Sequence, residues 1–107
     1  GHLADDGQAA KDEYYEMYAG QMRKGLRNRF PPHEITRPAF DHEAGPHGAI
    51  FAGDAKAAIA KILYQKKLLG LDRIMLQLDW IGLPYRKLKR SVEILGMEVA
   101  PAVRNGA

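Results

Sequence analysis

The sequence predicts an α/β fold built on parallel strands. Three observations predict it. Apolar residues recur at helical spacing in three separate stretches. Two short apolar runs of strand length lie between helices. Gly, Pro or Asp marks most of the changes from one type to the other. The expected order is helix, loop, strand, helix, strand, helix and an apolar tail.

The first helix is expected from Gln8 to Arg29, within a leading segment 1–30. Tyr14, Tyr18, Met22 and Leu26 recur every four residues, with Tyr15 and Phe30 beside that line. Asp5 or Asp6 supplies a side-chain cap, and Pro31 and Pro32 stop the helix. Residues 31–48 lose all periodicity and are expected to be a loop insertion, pinned by Ile35, Ala39 and Phe40. A strand over Ala49 to Ala52 opens the segment 49–104. Gly53 turns the chain, and Asp54 caps a second helix from Ala55 to Leu69 that ends at Gly70. Its buried face is expected to be Ala55, Ala58, Ile59, Ile62 and Leu63.

Arg73 to Trp80 alternates: Ile74, Leu76, Leu78 and Trp80 point one way, and Met75, Gln77 and Asp79 the other. Its apolar start on both faces predicts a strand covered on both sides. Pro84 opens a third helix with Tyr85, Leu88, Val92 and Leu95 as its core stripe and Gly96 as its end. Met97 to Val103 then forms a tail that needs a surface. Strand, crossover helix and strand imply a parallel pair. Two such strands alone leave their edges open. Gly1 to Ala4 offers one further short strand.

Composition bounds the function. The 107 residues support one modest core. There is no cysteine, so disulfides, thiolate metal sites and cysteine nucleophiles are excluded. No apolar run nears the ~20 residues of a membrane span, and the polar, acidic start is not a signal peptide. A cytoplasmic protein is expected. The leading Gly in place of Met points to a processed, tagged or truncated chain. The net charge is +3, with basic clusters at Arg23 to Arg29 and at Arg86, Lys87, Lys89 and Arg90. A nucleic-acid module is one reading. Solvated helix faces explain the same residues more simply, so no nucleic-acid partner is expected.

Other constellations are weak. His33, His42 and His47, with Glu34, Asp41 and Glu43, are ligand types at irregular spacing in a loop, so no metal is expected. His2 is either native or a tag remnant. Tyr14, Tyr15 and Tyr18 at helical spacing read as a packing face. No nucleotide-binding glycine loop and no GxSxG occurs, and Ser91 lies within a helix.

The pieces AIFAGDAKAAIAKIL, LLGLDRIMLQLDW, IGLPYRKLKRSVEILG and MEVAPAVR follow one another in a recognisable order. Together they resemble the end of luciferase-like flavin-dependent monooxygenases. ADDGQAAKDEYYEMYAGQM and FPPHEITRPAFD resemble the preceding helix and insertion, so the likeness covers nearly the whole chain. It implies the C-terminal part of a (β/α)8 TIM barrel, incomplete as an isolated chain, since such barrels take about 250 residues. It implies a parent oxidoreductase using FMN or a deazaflavin coenzyme on a small-molecule substrate. The isolated segment is then expected to be inactive and to bind no cofactor by itself. Its expected partner is the rest of the barrel, or another copy in a homo-oligomer.

Barrel active sites lie at the C-terminal ends of strands. Here those ends carry Gly53 with Asp54, and Asp79 with Trp80. As a site, Trp80 walls a pocket or lies near a flavin ring, and Gly53 and Asp54 hold a polar ligand at a helix start. More simply, Trp80 is core, Asp79 caps the next turn, and Gly53 and Asp54 form a turn and cap. No catalytic residue is identified. The chain also departs from the family pattern. Asp54 and Ala55 stand where Ser or Thr and then Pro are usual, and a carboxylate at this turn repels phosphate. Ile81 replaces a small residue before Leu83 and Pro84.

Overall fold

A computed structural model describes residues 1–25, 35–79 and 82–106. Two short strands, β1 (His2–Leu3) and β2 (Ala52–Gly53), pair in parallel. His2 N–H donates to Phe51 O at 2.7 Å, and Ala4 N–H to Gly53 O at 3.0 Å. Between the strands lie α1 (Gly7–Gly25) and α2 (Arg37–Glu43). After β2 come α3 (Ala55–Leu69), α4 (Tyr85–Ile94), a π-helical turn (Leu95–Val99) and α5 (Ala100–Gly106). Among the described residues no helix is long and apolar enough to cross a membrane.

Strand alternation sends side chains to two faces. Leu3 and Phe51 point to one face and pack with Ala58, Ile62, Ile94 and Val99. Ala52 points to the other and packs with Tyr14, Phe40 and Ala44. Helices therefore cover both faces of the pair, with α1 and α2 on one side and α3 to α5 on the other. The α/β class and a parallel pair are present. A barrel carries its helices on the outer face alone, whereas here α1 covers the second face.

The pairing differs from expectation. The sequence predicts that 49–52 pairs with 73–80; β2 pairs instead with the short strand near the N-terminus. Arg73 to Asp79 has no regular secondary structure and joins no ladder. The cause lies at the outer edge of β1. Alternate N–H groups of a strand point to opposite edges, so Leu3 faces away from β2. Its N–H donates to Ser91 Oγ at 2.7 Å, and Ser91 Oγ donates to its carbonyl, also at 2.7 Å. On this edge the 73–79 segment touches the sheet at Gly1, whose nitrogen donates to Gln77 O at 2.7 Å. A side chain of α4 fills the next place on that edge. The segment keeps its alternation, with Ile74, Leu76 and Leu78 half-buried and Met75, Gln77 and Asp79 exposed. It is not covered on both sides: Met75 is 86 % exposed.

The helix ends follow local chemistry. Asp6 Oδ1 accepts from the N–H groups of Gln8 and Ala9 at 2.9 and 3.1 Å, so Asp6 rather than Asp5 caps α1. Residues 26–34, which include Leu26, Arg29 and Phe30 of the predicted helix, lie outside the described residues. The α3 bounds match the sequence reading. Asp54 Oδ1 accepts from Ala57 N–H at 2.9 Å, and Gly70 takes φ 65° in the left-handed region. Asp54→Ala is expected to lower stability by about 1 kcal/mol, read from urea unfolding.

Three expectations are corrected. The 31–48 loop contains α2. Thr36 caps it through Ala39 N–H at 3.3 Å, Pro38 stands in its first turn, and Phe40 is buried. Next, Gly96 does not end the third helix. The chain widens into a π-helical turn in which Ala100 N–H donates to Leu95 O. That turn lets the helix pass Pro101, which has no N–H of its own to offer. The Met97 to Val103 tail is therefore helical, with Val99 buried. Finally, the core stripe of α4 is rotated. Ser91 and Ile94 are buried, whereas Tyr85 is 76 % and Val92 53 % exposed.

Candidate functional site

The expected site residues separate. Gly53 is buried in β2, and the Asp54 carboxylate is engaged in its cap. Asp79 is exposed at the end of the 73–79 segment. Trp80 and Ile81 lie outside the described residues. At the C-terminal strand ends, Ala4, Asp5, Asp54, Lys56, Ile94 and Glu98 line a recess of about 180 Å³. Arg90 donates to Asp5 at 2.6 and 3.1 Å and reaches Glu98 at 3.5 Å. The guanidinium holds the Asp5 carboxyl below the usual carboxylate range, first through that hydrogen bond. Three carboxylates face two cations here, and the helix start is already capped by an anion. A flavin phosphate does not fit these residues.

A second arrangement is buried between β1, α1 and α4. Ser91 Oγ lies 3.1 Å from His2 Nδ1, and His2 Nε2 lies 3.0 Å from Glu13 Oε2. Glu13 Oε1 accepts from Lys87 Nζ at 2.8 Å. The lysine, and then the histidine, hold the Glu13 carboxyl below its ordinary value. A carboxylate only accepts, so His2 Nε2 carries the hydrogen in that bond. The order Ser, His, Glu is that of a hydrolytic triad, but the chemistry here is structural. Ser91 and His2 are each 1 % exposed, and the hydroxyl is held by both backbone groups of Leu3. No substrate carbonyl reaches it. His2 is thus part of the core. Local patterns do not mark this set, because Ser91 and Leu3 stand 88 positions apart.

The third arrangement is a mainly apolar recess of about 230 Å³ between α3, β2, α1 and the 44–47 turn. Lys61 in its wall is 6 % exposed. Its Nζ donates to the carbonyls of Ile50 and Glu43 and sits 4.8 Å from the Phe51 ring centroid. This clamps the 43–50 turn onto α3. Burial pushes the Lys61 pKa down to about 8, partly opposed by Glu43 and reinforced by Lys11. His47 and Tyr64 also line the recess, with rings stacked at 4.5 Å. The sequence reading places Ile59 and Leu63 on the buried face of α3 and overlooks Lys61. The signal available is a lysine one position from Ile62 on a helix otherwise rich in alanine.

From pH about 8 to 10.5 the folded chain has released the Lys61 proton while the unfolded chain keeps it. Stability is expected to rise with pH across that window. A neutral amine still donates to both carbonyls. The rise, measured by urea unfolding at a series of pH values, is expected to be absent in Lys61→Met.

The remaining candidates have ordinary partners. Arg37 bonds Asp41 and Asp12, each at 2.8 Å. Glu43 accepts from Ala49 N–H at 3.2 Å, and His42 is exposed. His33 and Glu34 lie outside the described residues. Among the described residues no group of three or more metal-ligand side chains gathers. Tyr14, Tyr15 and Tyr18 surround Phe40, with centroids at 5.2–6.0 Å, as a packing face does. Of the second basic cluster, Lys87 and Arg90 are committed to carboxylates. No known family model matches the chain, and no characterised protein matches it by sequence.

Proposed function

We propose that the chain is the C-terminal unit of a luciferase-like, flavin-dependent (or deazaflavin-dependent) oxidoreductase. By itself it is catalytically silent and binds no cofactor. The observation that supports this reading most is the 73–79 segment. Its side chains alternate between exposed and half-buried, as a strand's do, and it has no ladder partner. In a parent barrel the missing strands supply that partner, and Asp79 stands at the mouth of the closed sheet. The redox chemistry belongs to the flavin, and these residues furnish one wall.

The test has two arms. The chain alone with reduced FMN is expected to show no turnover above a free-flavin control. A chimera with the leading strands of a luciferase-like barrel placed before Gly1 is expected to bind reduced FMN and to couple its oxidation by O2 to turnover of an organic substrate. Turnover by the chain alone, or a folded chimera that ignores flavin, sinks the reading.

A second reading rests on exposed apolar side chains. Leu68 and Leu69 are each 64 % exposed, Met75 86 % and Met97 75 %. Self-association covers such groups. Light scattering over a concentration series is then expected to show a dimer, and a monodisperse monomer at high concentration removes this reading.

A further inference from the structure

We propose that the recess between α3 and the outer edge of β2 is a binding site for a small carboxylate with an apolar body, such as a medium-chain fatty acid or an arylalkanoate. The site shares Gly53 with the strand end discussed above but includes neither Asp54 nor Asp79, and it does not depend on the barrel reading.

Size, lining and charge each contribute to the assignment. The volume is about 230 Å³, and a cavity of about 150 Å³ holds benzene. A body of roughly eight to twelve non-hydrogen atoms therefore fits. Small side chains create the space: Ala52, Ala57, Ala58 and Ala60 form much of the wall. Such a lining favours an apolar occupant.

The polar groups at this wall favour an anion. Lys11 lines the recess, and no ion-pair partner for it exists among the described residues. Lys61 adds a second positive charge in the wall. No carboxylate lines the recess, and Glu43, whose charge acts on Lys61, uses its carboxylate on Ala49 N–H. Ala52 contributes a backbone donor. Phe51 and Gly53 supply the ladder carbonyls toward β1, so Ala52 N–H points to the opposite, outer edge of β2. A ligand carboxylate at that edge has an N–H to accept from, and two ammonium groups to balance its charge in apolar surroundings.

The experiment titrates the full 107-residue chain with octanoate, and separately with 1-octanol, following amide shifts by NMR. Octanoate is expected to bind with a Kd of about 1 mM or tighter, moving the amides of Ala52, Ala57 and Lys61. Octanol is expected to bind about tenfold more weakly, lacking the charge. Lys11→Met is expected to weaken octanoate about fivefold and leave octanol unchanged. Ala57→Leu, on an exposed helix position, is expected to weaken both by filling the space. Circular dichroism confirms that each variant is folded. Equal affinity for the two ligands, shifts located elsewhere, or no saturation by about 10 mM octanoate overturns the proposal.

Discussion

Phe40→Ala is expected to lower the unfolding free energy by about 3–5 kcal/mol. Phe40 is 2 % exposed and sits among Tyr14, Tyr15 and Tyr18 at centroid separations of 6.0, 5.2 and 5.5 Å. The Arg37 guanidinium lies 5.7 Å from its ring centroid. It is the buried residue of the seven-residue helix α2, too short to hold its shape without tertiary contact. Truncation removes the ring, leaves a cavity beside Ala44 and Ala52, and detaches α2 from α1. Urea unfolding with an unchanged slope against denaturant reads the loss directly. Phe40→Leu is expected to cost much less, because the volume is largely kept. A loss below about 1 kcal/mol for Phe40→Ala contradicts this clamp.

Ser91→Ala is expected to cost about 2–4 kcal/mol, large for the removal of one oxygen. The hydroxyl serves both backbone groups of Leu3 and faces His2 Nδ1. Leu3, His2 and Ser91 are each 1 % exposed, so water does not replace it. Deleting the oxygen leaves a buried donor and acceptor on the edge of β1 without partners, and each such group costs about 1–3 kcal/mol. Ser91→Cys tests the same point by degree, since a thiol hydrogen-bonds weakly. Stability that falls from the parent chain to Ser91→Cys to Ser91→Ala supports the edge cap. Equal stability of the parent chain and the Ser91→Ala variant removes it.

How far the structure is legible depends on the range of each interaction. The α3 bounds are legible because Asp54 and Gly70 act on their own helix. Asp6 and the Tyr14 stripe of α1 are legible for the same reason. Helix α2 escapes because seven residues barely show a period, although Thr36 followed by Pro38 carries the cap signal. Gly96 misleads because a π-helical turn tolerates both it and Pro101, and spacing rules assume uniform pitch. The strand partner of β2 is not legible: Leu3 and Gly53 are joined far along the chain, and Ser91 closes the edge across 88 positions. Among candidate site residues, Asp54 caps α3, whereas Gly53 is a residue of β2 rather than a turn. Asp79 stands apart from them, and the Lys61 recess comes from packing between α1, α3 and the 44–47 turn that no local pattern encodes.

On the proposed function, the 73–79 segment is a strand awaiting partners from a larger barrel. Hydrogen exchange of its amides tests this most directly. In the isolated chain, the amides of Met75 to Asp79 are expected to exchange at nearly unprotected rates, while those of Ala58 to Ile62 in α3 are protected. In the chimera with leading barrel strands, the same amides are expected to gain protection of about a hundredfold or more. Protection already present in a monomeric isolated chain, or its absence in a folded chimera, contradicts the account.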